Sequence, residues 1–275
     1  MPLPLVSVVI TTLNEGKNIR DLLESLANQE PPYEVLVVDA GSTDRTVEIV
    51  QEFEKDFPVF RLLHGPGSRG HSRNFGVQHA KGEYIAFIDG DCIANAFWLQ
   101  KLRKYALPNR VVAGRNVQIG YWAFDLGRVE LLRRGFDITH PSANLLYPRA
   151  AFLRIGGFDP RFVTAEDIDL NFRAVESGLE IHYVESAVVY ARSRPSIHTF
   201  LRQAYWNGYG RKQLSLKHGS LWAHYRLTRM LEGQIHFWGV VRLALAVFGY
   251  ARCRLRETSR EWKSTPISLS VAVSA

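Results

Sequence analysis

Four short apolar runs, at residues 5–11, 34–39, 59–63 and 84–88, are separated by single stretches of helical periodicity. This alternation over the first hundred residues most limits how the chain can fold. Strands joined by one helix each need crossover connections, which predicts an α/β fold around a largely parallel sheet. Ile19, Leu22, Leu23 and Leu26 mark a first helix running through about Asn28, with Thr12-Leu13-Asn14-Glu15 as its capping box. Residues 41–46 read as a turn with Ser and Thr caps, leading to a helix whose apolar face is Val47, Ile49, Val50 and Phe53. A third helix is expected over 72–79. Beyond it we expect a strand over 111–119, a helix over 122–134 and helices over 197–216 and 235–251.

The run ending at Ile88 is followed by Asp89-Gly90-Asp91. An open α/β sheet binds its ligands beyond the carboxyl ends of its strands, so this triplet is placed for chemistry. Residues two apart on an extended chain point the same way, and Gly90 between them lets a bulky ligand approach the backbone. Paired carboxylate oxygens there suit Mg²⁺ or Mn²⁺ carrying a phosphate. A plain turn after a strand is the structural alternative.

At 275 residues and 46% hydrophobic, the chain has the size of one large domain with an appendage. Cys92 and Cys253 stand far apart with no Cys or His cluster beside them, so neither a zinc site nor a disulfide framework is indicated, and a reducing, cytosolic setting is expected. The first residues lack a basic stretch and a small-residue cleavage site, so no signal peptide is expected. Charge is divided unevenly. Residues 1–191 carry a net −4 and residues 192–275 a net +11, which directs the C-terminal third toward a phosphate-rich partner or an anionic membrane surface. No nucleic-acid motif accompanies the charge, and no nucleic-acid partner is expected.

A second motif competes with the acidic triplet. Gly65-Pro66-Gly67-Ser68-Arg69-Gly70 satisfies the GxGxxG pattern, follows an expected strand, precedes an expected helix and has Asp89 nineteen residues beyond it. That is the fingerprint of an NAD(P)-dependent Rossmann oxidoreductase. Pro66 and Arg69 crowd a turn that must touch pyrophosphate, two strand–helix units come before it, and Asp91 would have no task. A non-catalytic module that binds nucleotide or docks on membranes is a third reading.

Six motifs in one order resemble those of family 2 glycosyltransferases: Val8 to Glu15, Val37 to Asp44, Arg73-Asn74-x-Gly76, Tyr84 to Asp91, Gly156-Gly157-Phe158-Asp159 and Glu166-Asp167-x-Asp169-Leu170. The resemblance covers roughly residues 5–190 and implies that residues 142–147 form the strand that precedes Gly156-Gly157-Phe158-Asp159. It implies a GT-A fold, with a Rossmann-like nucleotide-binding half (1–110) and an acceptor half (111–195) sharing a mixed central sheet, followed by a basic helical extension (196–275). It also implies metal-dependent, inverting transfer from a UDP- or GDP-linked sugar to a hydroxyl acceptor, either a glycan or a polyprenyl-phosphate-linked one. Carried over by the match, Asp91 is the metal ligand, and Asp89 lies at the ribose or the metal. Asp39 accepts hydrogen bonds from base or ribose. Thr11, Asn14 and Glu15 form the other wall of the nucleotide pocket, with helix capping as the alternative for the trio. Arg73 recognises base or phosphate.

For Asp167 the residues alone leave two readings open, a capping box begun by Thr164 or a functional carboxylate. The resemblance makes it the base, with Glu166 positioning the acceptor and Asp169 supporting the helix. His140 and Trp122 are read as sugar contacts or buried rings. Processive synthases of the superfamily carry Gln-x-x-Arg-Trp where this chain reads Gln203-Ala204-Tyr205-Trp206-Asn207, which argues against a cellulose- or chitin-type polymerase. Residues 235–251 are apolar but interrupted by His236 and Arg242. We expect a peripheral helix on the cytoplasmic face of a membrane, with self-association as the alternative. Residues 264–275 are expected to fray.

Overall fold

The structure is a computed structural model that describes residues 3–65, 67–120, 129–192, 196–219, 221 and 237–263. The expected alternation is present. It runs β1 (Val6–Thr12), α1 (Ile19–Ala27), β2 (Tyr33–Asp39), α2 (Thr46–Glu52), β3 (Phe60–His64), α3 (Arg69–His79) and β4 (Tyr84–Asp89). The later elements are β5 (Cys92–Ala94), α4 (Trp98–Lys104), β6 (Arg110–Ile119), β7 (Leu132–Arg133), β8 (Phe136–Asp137), β9 (Leu145–Pro148), α5 (Arg149–Arg154), α6 (Glu166–Glu176) and β10 (Glu180–Arg192). Three helices close the described chain: α7 (Ile197–His218), α8 (Phe237–Arg256) and α9 (Ser259–Lys263).

Eight of the described strands form one mixed sheet in the order β3-β2-β1-β4-β9-β6-β10-β5. β3, β2, β1 and β4 are parallel, β9 runs against β4 and β6, and β5 runs against β10. The central strands are covered on both faces, which is why they read as continuous apolar runs. On β1, Val9 enters one core with Leu36, Ile85 and Phe87, while Val8 and Ile10 enter the other with Val35, Val37 and Ile88. The chain winds from β1 to β2 on one side and reaches β4 on the other. The carboxyl ends of β1 and β4 therefore flank the crevice where such sheets take their ligands.

Several boundaries differ from expectation, each for a local reason. α1 begins at Ile19, because Thr12, Asn14 and Glu15 bond across to the loop after β2 and Asn14 adopts φ 56°. α3 begins at Arg69, with the Ser68 hydroxyl capping it. Of the helix expected over 122–134, residues 122–128 lie outside the described residues. Leu132–Arg133 instead pairs with Phe136–Asp137 in a two-residue hairpin. Arg134 and Gly135 both take positive φ, 49° and 86°, as a type I′ turn requires. Ser142–Asn144 is a 3₁₀ turn, and the strand starts at Leu145. The expected fraying of 264–275 and the reading of Trp122 also lie outside the described residues.

α7 and α8 touch backbone to backbone. A Cβ on Gly208 would lie 1.8 Å from the Ala246 carbonyl oxygen, and one on Gly249 would lie 2.0 Å from that of Tyr205. Only glycine permits that approach. Tyr209, Leu214, Cys253 and Trp262 share a core with Phe158, Phe162 and Ile168. Among the described residues, no helix is long and apolar enough to cross a membrane.

Candidate active site

The ends of β1, β2 and β4 hold most of the residues expected at the nucleotide. Thr11 lies opposite Asp89 in the β1–β4 register, and Thr12 opposite Asp39 in that of β1–β2. Asp39 is buried. Its carboxylate accepts from the Gly41 and Ser42 backbone N–H groups at 3.0 and 2.9 Å and from the Ser42 hydroxyl at 2.5 Å. It thereby shapes the turn after β2, and its acceptor capacity is largely used within that turn. Asn14 links the two loops: its N–H donates to the Ser42 hydroxyl, and its side-chain oxygen accepts from the Thr43 N–H, both at 2.9 Å. Glu15 is held through its N–H to the Thr46 hydroxyl at 2.8 Å. A Cβ on Gly90 would meet the Glu15 and Thr12 side chains at 3.2 Å, so the bare backbone of the acidic triplet seats against this wall.

From Asp89 a chain of charges leads across the molecule. Arg73, 3% exposed, donates to Asp89 at 2.7 Å and to Glu166 at 2.9 Å, with its guanidinium 5.3 Å from the centre of the Phe158 ring. Burial alone would lower the Arg73 pKa, but Asp89 and Glu166 more than offset it, so the guanidinium stays charged. Asp167 follows Glu166 in the first turn of α6 and is half-buried. Burial pushes its carboxyl up to about 6; neighbouring Glu166 adds to the rise, while Arg73 and the N–H groups of Ile168 and Ser142 pull the other way. A carboxylate in that range suits a general base near neutral pH. Thr164 forms no capping box, because the residue before α6, Ala165, is left-handed with φ 65° and no side chain caps the helix.

The turn that presents Glu166 and Asp167 is held from behind. Asn74 clamps Phe158, donating to its carbonyl at 2.7 Å and accepting from its N–H at 2.9 Å. Gly156 and Gly157 take φ 83° and 63°, which accounts for the paired glycines before Phe158. Asp169 is fully buried and accepts from Arg173, Lys217 and His218, each at 2.7 Å at its shortest. Lys217 also reaches Asp159 at 2.8 Å. Burial would raise the Asp169 carboxyl, yet Arg173, His218 and Lys217 bring it well below the usual range. Its stabilising contribution is therefore present above the unfolded carboxyl pKa and is lost as pH falls through the depressed value. Asp169→Asn should cost about 1–3 kcal/mol at neutral pH, a deficit in urea unfolding that narrows in strong acid.

Residues 7–158, more than half of the chain, match the family model described as glycosyl transferase family 2, and residues 123–272 match glycosyl transferase family group 2. The chain belongs to glycosyltransferase family 2. Among curated relatives, this glycosyltransferase is 27% identical to the glycosyltransferase AglE of Haloferax volcanii over 208 residues, 70% of this chain and 68% of AglE. It is 28% identical to the pre-mycofactocin glycosyltransferase of Mycobacterium tuberculosis over 222 residues, 74% of this chain and 46% of that one, so it spans about half of that relative. Its fold resembles TarS of S. aureus crystallised with UDP-GlcNAc, at a TM-score of 0.59 and 20% identity over 93% of this chain and 74% of that one. It also resembles the mannosyltransferase PcManGT of Pyrobaculum calidifontis in complex with GDP-Man and Mn²⁺, at a TM-score of 0.63 and 18% identity over 93% and 76%. The fold is GT-A.

In this glycosyltransferase the family match and the fold do not favour a dinucleotide site at the GxGxxG stretch. That stretch follows β3, the edge strand, and not β1, whose carboxyl end borders the crevice. Its first and last glycines serve packing: a Cβ on Gly65 would lie 2.5 Å from Val38, and one on Gly70 would lie 3.2 Å from Phe158. The acid that would read a ribose, Asp89, is bonded to Arg73. His140 is buried and stacks on Tyr183 at 5.4 Å. Sequence reasoning missed Asn74 as a clamp, and Lys217 and His218 as partners of Asp169.

For a divalent cation the donor chemistry fits. Among the described residues no group of three or more His, Cys, Asp or Glu side chains could hold a metal unaided. Asp91 and Asp89 offer hard carboxylate oxygens at a strand end, which suits Mg²⁺ or Mn²⁺ that arrives with phosphate oxygens completing its shell.

Proposed function

We propose that this glycosyltransferase moves a sugar from a UDP- or GDP-linked donor to an acceptor hydroxyl with inversion at the anomeric carbon. The carrying observation is the buried link Asp89–Arg73–Glu166, which joins the acidic triplet to the turn holding Asp167. Asp167 takes the proton of the acceptor hydroxyl as its oxygen attacks the anomeric carbon. The bond to the diphosphate breaks in the same oxocarbenium-like transition state, and the diphosphate leaves from the opposite face with the bonding electrons. Glu166 positions the acceptor beside the base while fixing Arg73. Asp91, with Asp89, would hold Mn²⁺ or Mg²⁺, which when bound neutralises charge on the departing diphosphate. Asp39, Thr11, Asn14 and Glu15 form the walls for base and ribose. The names of the similar proteins support nucleotide-sugar donors, with UDP-GlcNAc in TarS and GDP-Man with Mn²⁺ in PcManGT. We assign the acceptor to the glycan or polyprenyl-phosphate-linked class, and the working place to the cytoplasm or the cytoplasmic face of a membrane.

The test is thermal-shift stabilisation by UDP, GDP and NAD, each with and without Mn²⁺, on the wild type and on Asp91→Ala. A Mn²⁺-dependent rise with one nucleoside diphosphate, absent in Asp91→Ala, is expected. A rise with NAD alone, indifferent to metal and to Asp91, would overturn the reading.

A further inference from the structure

Helix α8 turns its apolar residues outward. Gly239, Gly249 and Cys253 are buried on its inner side, whereas Phe237, Val240, Leu243, Val247, Phe248 and Leu255 are exposed, with Phe237 at 71%, Val247 at 61% and Leu255 at 82%. Their spacing places them on one stripe of the helix. A helix packed on the outside of a protein in water shows the reverse arrangement, with apolar residues inward. A contiguous outward stripe marks an interaction surface. The same helix carries Arg242, Arg252, Arg254 and Arg256 and no carboxylate, and the last three arginines are exposed beside the end of the stripe.

We propose that the outer face of α8 docks on an anionic phospholipid bilayer, with the apolar stripe at the acyl boundary and the arginines against headgroup phosphates. Lying on the surface is the geometry this helix permits. It has 20 residues, does not qualify as a membrane span, and has an exposed apolar face flanked by cations. A second copy of the chain is the poorer occupant. Two α8 faces laid together would approach with arginines on both sides and no acid on either helix, whereas a bilayer supplies the missing negative charge. Behind α8, the contacts at Gly208 and Gly249 bring in α7, and Lys217 and His218 join α7 to α6. Docking would therefore hold the Glu166–Asp167 turn at a fixed orientation to the membrane, where a lipid-linked acceptor lies. The surface stands on its own observations and goes beyond the transferase reading.

The test is co-sedimentation of the full-length protein with vesicles of phosphatidylcholine alone, or of phosphatidylcholine mixed with phosphatidylglycerol. Binding is expected only to the anionic vesicles and should weaken with salt. Arg252→Gln/Arg254→Gln should reduce partitioning about tenfold or more, and Val240→Glu/Val247→Glu should abolish it. Both variants should keep the wild-type thermal response to nucleoside diphosphate and Mn²⁺, which separates loss of docking from any failure of the donor site. Wild-type protein remaining in the supernatant with anionic vesicles would overturn the proposal, as would a Val240→Glu/Val247→Glu variant that binds as wild type does. A dimer seen by light scattering and lost in that variant, with no vesicle binding, would reassign the face to a second copy.

Discussion

Asp167→Asn is expected to lower sugar transfer by about 10²- to 10⁴-fold, the usual contribution of a general base. Donor binding should survive, because the residues around the nucleotide lie on the loops after β1, β2 and β4. The pH profile carries the sharper signature. A base must be ionised to accept a proton, so wild-type turnover should rise with pH through about 6, where burial has pushed this carboxyl. That acidic limb should vanish in the variant. Stability should move the other way. A carboxyl whose folded pKa is raised binds its proton more tightly in the folded state, so its ionisation opposes folding above that pKa. Removing the charge should leave the melting temperature at neutral pH unchanged or higher. A variant that loses turnover and unfolds earlier would point to a structural role for Asp167 instead.

The second large effect is on folding. Arg73→Met keeps the aliphatic bulk of the side chain and removes the charge shared by Asp89 and Glu166. Breaking a buried ion pair from one side costs about 3–5 kcal/mol, because the remaining charge is left without a partner in a poorly solvated place. Most of that penalty should fall on Glu166, which is buried, since Asp89 is 36% exposed and can draw on water. Urea unfolding at neutral pH should show the deficit. Equal midpoints at neutral pH would mean that Arg73 is replaceable and that the link between the two halves of the site is not structural.

The strands were legible because β1, β2 and β4 lie in the interior of the sheet, and burial on both faces leaves an uninterrupted apolar run that ends where the acids begin. Asp39, Asp89 and Asp91 could be placed for that reason. The readings that failed share a different cause. Thr12, Asn14 and Glu15 have the composition of a capping box, but the Thr12 hydroxyl donates to Asp39, the Asn14 amide accepts from Thr43, and the backbone N–H groups of Asn14 and Glu15 donate to Ser42 and Thr46. Pattern cannot distinguish a cap from a cross-loop bond. The hairpin of β7 and β8 is too short for periodicity to register. The pairing of Arg73 with Glu166 joins residues 93 apart, and that of Asp169 with His218 joins residues 49 apart. Neither partner has a local feature that announces the other; only the fold brings them together.

The bonds from Lys217 and His218 to Asp159 and Asp169 bear on how such enzymes can diversify. An exchange of C-terminal helices between relatives, whether by recombination or in the laboratory, would not be a swap of independent modules. A graft beginning near residue 196 would leave buried Asp159 with Arg161 and buried Asp169 with Arg173, and would remove the Lys217 and His218 partners of both unless the incoming helix brought equivalents at the same two positions in its last turn. New acceptor ranges should therefore arise more readily by substitution on surfaces away from that turn than by wholesale replacement of the helices. Where whole helices have been traded, the acids of the Gly-Gly-Phe-Asp turn and of α6 should have travelled with them.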